Sequence, residues 1–318
     1  MGREVALHVG AALGKYGFPN GHPFGPDRQD AFWKETVRQG LDQQALLVEP
    51  RPAARAEIER FHTADYVSRV ERLSEFGHGM IDHGDTPAYP GVYDASSAVV
   101  GAALDGLERV MSAECYRTFQ PIGGLHHARR DSGAGFCVFN DCGVVIDTLR
   151  QQFGVKRVAY VDIDVHHGDG LYYPYESDPE LIIADLHEDG MFLYPGTGGA
   201  EERGKGEAEG TKLNIPMQPG AVDADFFAAW ERVVDHLRDF KPEFIIFQCG
   251  ADSLAGDPLA HLNYSPAAHA HAARSLCGLA NEMAGGRLMG FGGGGYDRTN
   301  LALAWNAVLK EFIAGSER

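Results

Sequence analysis

The sequence predicts an α/β protein on an open, mostly parallel sheet with helices on both faces. Short apolar runs alternate with helical patterns along most of the 318 residues. The runs are continuous rather than polar-alternating, as strands covered on both faces require. No linker or internal repeat divides the chain, so residues 1–318 are expected to form one domain.

In chain order, 3–9 (REVALHV) is a weak strand candidate, and 29–40, 92–112 and 140–152 carry helical patterns. Strands are expected at 157–163 (RVAYVDI), 181–186 (LIIADL), 243–248 (EFIIFQ) and 287–291 (RLMGF). The stretch 195–211, rich in Gly and Glu, reads as a long loop. Helices follow at 223–240, 266–284 and 299–314, the first two with Asp223 and Ser265 as N-caps. Pro266 suits the first helical position. Trp33, Trp230 and Trp305 fall in helical patterns and are expected in the core.

Composition excludes several classes. A formal charge of −17 repels phosphate backbones and attracts cationic substrates, so nucleic acid is a poor partner. No apolar stretch is long enough to span a bilayer, and the N-terminus MGREVALHVG lacks the pattern of a signal peptide. A cytoplasmic protein is expected. Five cysteines without a CxxC pair argue for free thiols rather than disulfides or a cysteine zinc site.

Function begins with VAYVDIDVHHGDG, residues 158–170. It ends an apolar run by setting down Asp162, Asp164, His166, His167 and Asp169. Desolvated carboxylates cost roughly several kcal/mol each unless paired, so a cation is the obvious compensator. Asp164 and His166, spaced i and i+2 at a strand end, point to one side and can share an ion. Asp252, in QCGADSLAGDPL, is the candidate third ligand. One His with two Asp leaves a position for water or substrate, the pattern of a catalytic zinc. A lone Asp-x-His pair would carry little weight. Here Asp185 and His187, Gln248 to Asp252, and Gly292 to Tyr296 fall at further strand ends, where α/β sheets bind ligands.

Tandem His126 and His127 sit in PIGGLHHARRDSGAGFCVFND. Hydrolysis needs a base for water and an acid for the leaving group, and two histidines tuned by Asp162 and Asp169 supply both. In GFGGGGYDR (290–298), a GxGxxG pattern is met, but the chain leaves no room for the rest of a dinucleotide fold. The glycines instead let backbone pass close to a ligand and deliver Tyr296, whose hydroxyl could stabilise an oxyanion. His62, His78, His83, His269 and His271 are expected at the surface.

GGLHHA, GFCVFND, DIDVHHGDG, YPGTG, GADSLAGDPL and GGGGY, in this order, resemble the histone deacetylase family, including its acetylpolyamine amidohydrolase and acetoin-utilisation members. The resemblance runs from about residue 20 to the C-terminus. It implies an arginase-like deacetylase fold and zinc-dependent amide hydrolysis, with ferrous iron also open as the metal in the cell. Asp164, His166 and Asp252 would be the zinc ligands. Asp162 would stand behind His126 and Asp169 behind His127, and Tyr296 would polarise the amide carbonyl. Phe136 and Tyr194, with Gly135 beside them, would line the acyl-lysine tunnel, and Asp85 would hold substrate backbone at its rim. A structural potassium ion would use Asp162, Asp164, His166 and Asp185, although the family often has Ser at the last position.

Leu259 stands where polyamine-selective members place a glutamate, which favours acetyl-lysine over acetylated polyamines. A manganese ureohydrolase of the same fold would need more bridging carboxylates than these motifs offer. A catalytically silent acyl-lysine binding module is the rival of another class.

Overall fold

The computed structural model describes residues 5–316. Its sheet contains β1 (Val5–His8), β2 (Ala45–Val48), β3 (Arg117–Gln120), β4 (Val158–Asp162), β5 (Leu181–Glu188), β6 (Lys212–Met217), β7 (Phe244–Gln248) and β8 (Leu288–Phe291). Every pairing is parallel, in the order β2-β1-β3-β8-β7-β4-β5-β6. The helices are α1 (Arg28–Arg38), α2 (Arg55–Ile58), α3 (Ala64–Phe76), α4 (Val92–Met111), α5 (Asp141–Phe153), α6 (Asp169–Tyr172), α7 (Asp223–Phe240), α8 (Pro266–Met283) and α9 (Arg298–Ser316).

Both faces of the sheet are covered, as the apolar runs require. Thr118 and Met289 are register partners, and a Cβ on Gly106 of α4 would meet their side chains at 3.2 and 3.3 Å. The next pair, Phe119 and Gly290, faces the other way, where a Cβ on Gly290 would reach Phe312 of α9 at 2.8 Å. β4, β5, β7 and β8 are buried along their whole length, each fully buried Val, Ile, Leu or Phe contributing about 1.5–3 kcal/mol.

Several expectations need correction. β1 begins at Val5, and residues 3 and 4 of the expected 3–9 strand lie outside the described residues. β2, β3, β6, α2, α3 and α6 have no counterpart among the expected elements. Asp223 is not an N-cap: Val222 holds that position, and Asp223 accepts hydrogen bonds from Ser265 N (2.7 Å) and Oγ (2.5 Å). Ser265 does cap α8. His62 and His269 are buried rather than superficial, and Trp33 is only partly buried whereas Trp230 and Trp305 are in the core. The 195–211 loop contains one short 3-10 turn, Gly206–Ala208. All five cysteines are buried, and no disulfide joins any of them among the described residues. Among the described residues, no helix is long and apolar enough to cross a membrane.

Arg28, Arg117 and Lys212 are buried cations. Lys212, at the start of β6, donates to the carbonyl of Asp178 (2.8 Å), to that of Leu181 and to Thr211 Oγ1 (3.0 Å). Burial brings its amine down to about 8.

Candidate active site at the strand ends

The loop after β4 curls so that its own backbone donates to its carboxylates. Asp164 N donates to Asp162 Oδ1 and His166 N to Asp164 Oδ1, both at 3.0 Å. This turns Asp164 and His166 toward the loop after β7, where Asp252 lies. Asp252 Oδ1 accepts from Val165 N at 3.1 Å. Asp164 Oδ2 accepts from Gln248 Nε2 (2.9 Å) and from Gly294 N (2.8 Å), which follows β8.

One donor atom from each of Asp164, His166 and Asp252 falls within 4.8 Å of the others. Nδ1 of His166 is 3.1 Å from Asp164 Oδ1 and 3.3 Å from Asp252 Oδ2. Asp252 Oδ2 is buried and has no hydrogen-bond partner among the described residues. An orphaned buried carboxylate oxygen is costly, and a cation is what would satisfy it. The electrostatics agree. Burial and then the charge of Asp164 push the Asp252 carboxyl up to about 7. Burial opposes the charge on His166, yet the adjacent carboxylates of Asp164 and Asp252 raise it to about 10. The donor set therefore fits a divalent cation.

The glycine run is explained here. A Cβ on Gly294 would lie 2.1 Å from Asp252 Oδ2, and one on Gly250 would lie 2.1 Å from Asp164 Oδ2. Only glycine lets both loops touch the carboxylates.

The tandem histidines approach from the loop after β3. His126 Nδ1 is 2.7 Å from Asp162 Oδ2, and His127 Nδ1 is 2.7 Å from Asp169 Oδ1. Asp169 also accepts from Arg129 at 2.8 Å. Burial and neighbouring His126 lower His127 to about 4, against the opposing pull of Asp169. Burial alone would raise the Asp169 carboxyl, but the hydrogen bonds from His127 and Arg129 and their charge more than offset it and bring it down to about 2. Near pH 7 the pair is thus neutral imidazole on a carboxylate. Asp162, crowded by burial and by Asp185 and Asp164, is held well above its usual range. It is the register partner of Asp185, whose oxygens take His187 Nδ1 (2.7 Å) and Gly168 N (2.9 Å).

His126, His127, Gly135, Asp164, His166 and Tyr296 line one cavity. The ring of Tyr296 stands edge-on to Phe136 at 5.8 Å, and its hydroxyl makes no hydrogen bond among the described residues. Burial keeps that hydroxyl protonated, well above its usual range. Tyr194 is edge-on to His127 at 5.1 Å. Asp85 lies outside the cavity and shares a neighbouring surface pocket with Tyr194 and Arg129. Leu259 is outside both, its N–H donating to Asp257 Oδ1 at 3.0 Å.

A family model described as the histone deacetylase domain matches residues 22–312. The chain belongs to the histone deacetylase family. It is 33% identical to the acetoin utilization protein AcuC of Bacillus subtilis, over 93% of this chain and 79% of that protein. It is 31% identical to the histone deacetylase RPD3 of Saccharomyces cerevisiae, over 95% and 70% of the two chains. The crystal structure of the HDA15 HD domain superposes with a TM-score of 0.90 at 27% identity, covering 98% of this chain and 90% of that one. The family's fold is thus the fold seen here.

Sequence reasoning missed the residues that hold the site. Asp141 accepts from Gly124 N (2.9 Å) and Leu125 N (2.8 Å), fixing the turn that presents the tandem histidines. Asn140 caps α5 and donates to Ala128 O at 2.9 Å, just past those histidines. Their signal was the FND of GFCVFND, an Asn-Asp pair opening a helix. Arg28 is buried and donates to the carbonyls of Gly295 (3.0 Å) and Gly293 (2.6 Å), bracing the loop that carries Tyr296. Asp257 does likewise from the other side, accepting from Tyr296 N at 2.8 Å.

Proposed function

We propose that this chain is a zinc-dependent deacetylase that removes acetyl from the side-chain amine of acetyl-lysine or from a related acetylated amine. The carrying observation is one cavity into which three buried ligand groups, two carboxylate-backed histidines and an unpaired tyrosine hydroxyl converge. Asp164, His166 and Asp252 would hold the metal, with ferrous iron as the other candidate. Bound there, the ion would lower the pKa of a water toward about 7 and polarise an amide carbonyl.

The remaining chemistry belongs to the side chains. His127, neutral and fixed by Asp169, has Nε2 free to take a proton from water and return it to the leaving amine. His126, held by Asp162, supplies electrostatic support beside it. Tyr296 donates a hydrogen bond from its hydroxyl to the developing oxyanion and keeps its proton. Gly135 permits the approach of the tunnel wall, since a Cβ there would lie 2.5 Å from His127 Cδ2. Phe136 and Tyr194 flank the acyl chain, and Asp85 faces the part of the substrate that stays outside. A potassium ion beside Asp162 and Asp185 would relieve the repulsion that raises Asp162. The chain is read as one catalytic domain in the cytoplasm.

Leu259 and the absence of an acidic group at that position support acetyl-lysine over acetylpolyamine. Acetate release from acetyl-lysine peptides and acetylated polyamines, with and without chelator, tests this. Chelator-sensitive release from peptides is expected. Release from polyamines alone would overturn the substrate class, and two manganese ions per chain would favour a ureohydrolase. Peptide binding without release would favour the silent module.

A further inference from the structure

The rim of the cavity contains an imidazole that the proposed chemistry does not use. His22 precedes α1 in the loop YGFPNGHPF and is half-buried. Its Nδ1 lies 3.1 Å from the backbone N of Phe24, a donor, so Nδ1 must accept. The proton therefore sits on Nε2, which is 3.0 Å from the carbonyl oxygen of Asp85 and donates to it. The same ring stands edge-on to Phe136, with centroids 4.5 Å apart at 82°, and packs on Phe18 at 4.7 Å.

Phe136 needs such support. Its φ of +67° is in the left-handed region, which strains a non-glycine residue. Its N–H donates to Thr86 Oγ1 (3.0 Å) and its carbonyl accepts from Tyr16 Oη (2.7 Å). The turn before Thr86 is shaped from within, with Asp82 Oδ1 accepting from the amides of Gly84, Asp85 and Thr86. Thr86 Oγ1, 3.2 Å from Asp85 Oδ1, links that carboxylate to Phe136 N, and His22 adds a second tie from the Asp85 carbonyl to the opposite lip and to the Phe136 ring.

We propose that His22 is a positioning residue that sets Asp85 against Phe136 and so selects for acetylated side chains carried on a peptide. This rests on the deacetylase reading and deepens it. A small acetylated amine ends inside the tunnel and never meets Asp85. A peptide runs across the rim and does.

His22→Phe keeps an aromatic ring against Phe136 but removes the donor to Asp85. His22→Gln keeps an amide donor at the reach of Nε2. Acetate release is measured on an acetyl-lysine peptide and on an N-acetylated diamine. Amide hydrogen exchange is followed over residues 80–88 and 134–138. His22→Phe is expected to raise KM for the peptide three- to tenfold, with diamine kcat/KM within twofold of the parent. Exchange in both segments should quicken, and His22→Gln should restore the peptide KM to within twofold. Equal losses on both substrates, or unchanged exchange in His22→Phe, would overturn the proposal. If the parent releases acetate from neither substrate, the deacetylase reading fails. The exchange comparison then still decides whether His22 holds the rim.

Discussion

Replacing Tyr296 by Phe removes one oxygen and leaves the ring. The ring contacts with Phe136 (5.8 Å) and Phe24 (6.5 Å) survive, as does Arg28 5.9 Å above it. The hydroxyl has no partner among the described residues, so no buried group is orphaned by its loss. Stability should change by less than about 0.5 kcal/mol, as for a substitution that removes no packing or partner. Catalysis should suffer much more. A preorganised donor to a developing oxyanion is worth about 2.7–4 kcal/mol, roughly 10²–10³ in kcat. The assay pairs acetate release with metal analysis and a thermal melt. Collapse of kcat with unchanged metal content and Tm is the expected result. A kcat within about threefold of the parent, metal content being equal, would remove Tyr296 from the chemistry.

Gln248→Ala should lower metal affinity about 10–100-fold, because Gln248 orients Asp164 at 2.9 Å; titration with a competing chelator reads this. Gly294→Ala should leave a protein with little bound metal, since the added Cβ meets Asp252 Oδ2 at 2.1 Å; metal analysis of folded protein checks it. Burial holds His62 at about 3, so the native state stays unprotonated while the unfolded chain takes up a proton below its ordinary value of 6.5. Stability from this group is therefore full above 6.5 and falls as pH drops toward 3, by about 2 kcal/mol between pH 7 and 5. Denaturant melts should show that slope flattened in His62→Gln. Lys212→Met should destabilise the fold by about 1–3 kcal/mol through the buried carbonyls of Asp178 and Leu181 that lose their donor, read by the same melts.

The strands legible in the sequence are those buried on both faces. β4, β5, β7 and β8 are uninterrupted apolar runs because helices cover them above and below. β2 and β6 are the sheet's edges, and their partly exposed patterns blur the signal. β3 is fully buried yet reads RTFQ, since Arg117 and Gln120 find hydrogen-bond partners that only the folded chain supplies. The site divides the same way. Metal-ligand types at close spacing stand out, so Asp164, His166 and Asp252 were visible together with the tandem histidines. Gln248, Arg28 and Asp257 are ordinary residues until tertiary contacts give each a single task. His62 and His269 looked superficial because polar side chains usually are. One takes Asn140 N (2.9 Å) and the other meets the Gly250 carbonyl (2.9 Å), both groups flanking the cavity.

The place of β8 bears on how the protein is made. Among the described residues it is the last strand, yet it lies in the middle of the sheet, pairing β3 on one side and β7 on the other. Without residues 288–291, β2-β1-β3 and β7-β4-β5-β6 would have no strand to join them and would each keep an unpaired inner edge. Such edges invite pairing with other chains, so the growing polypeptide needs protection from aggregation late in its synthesis. Gly294 and Tyr296 follow that strand immediately and arrive with it. The joining of the ribbons and the completion of the cavity are therefore one event, and a nascent chain that stops short of β8 has neither.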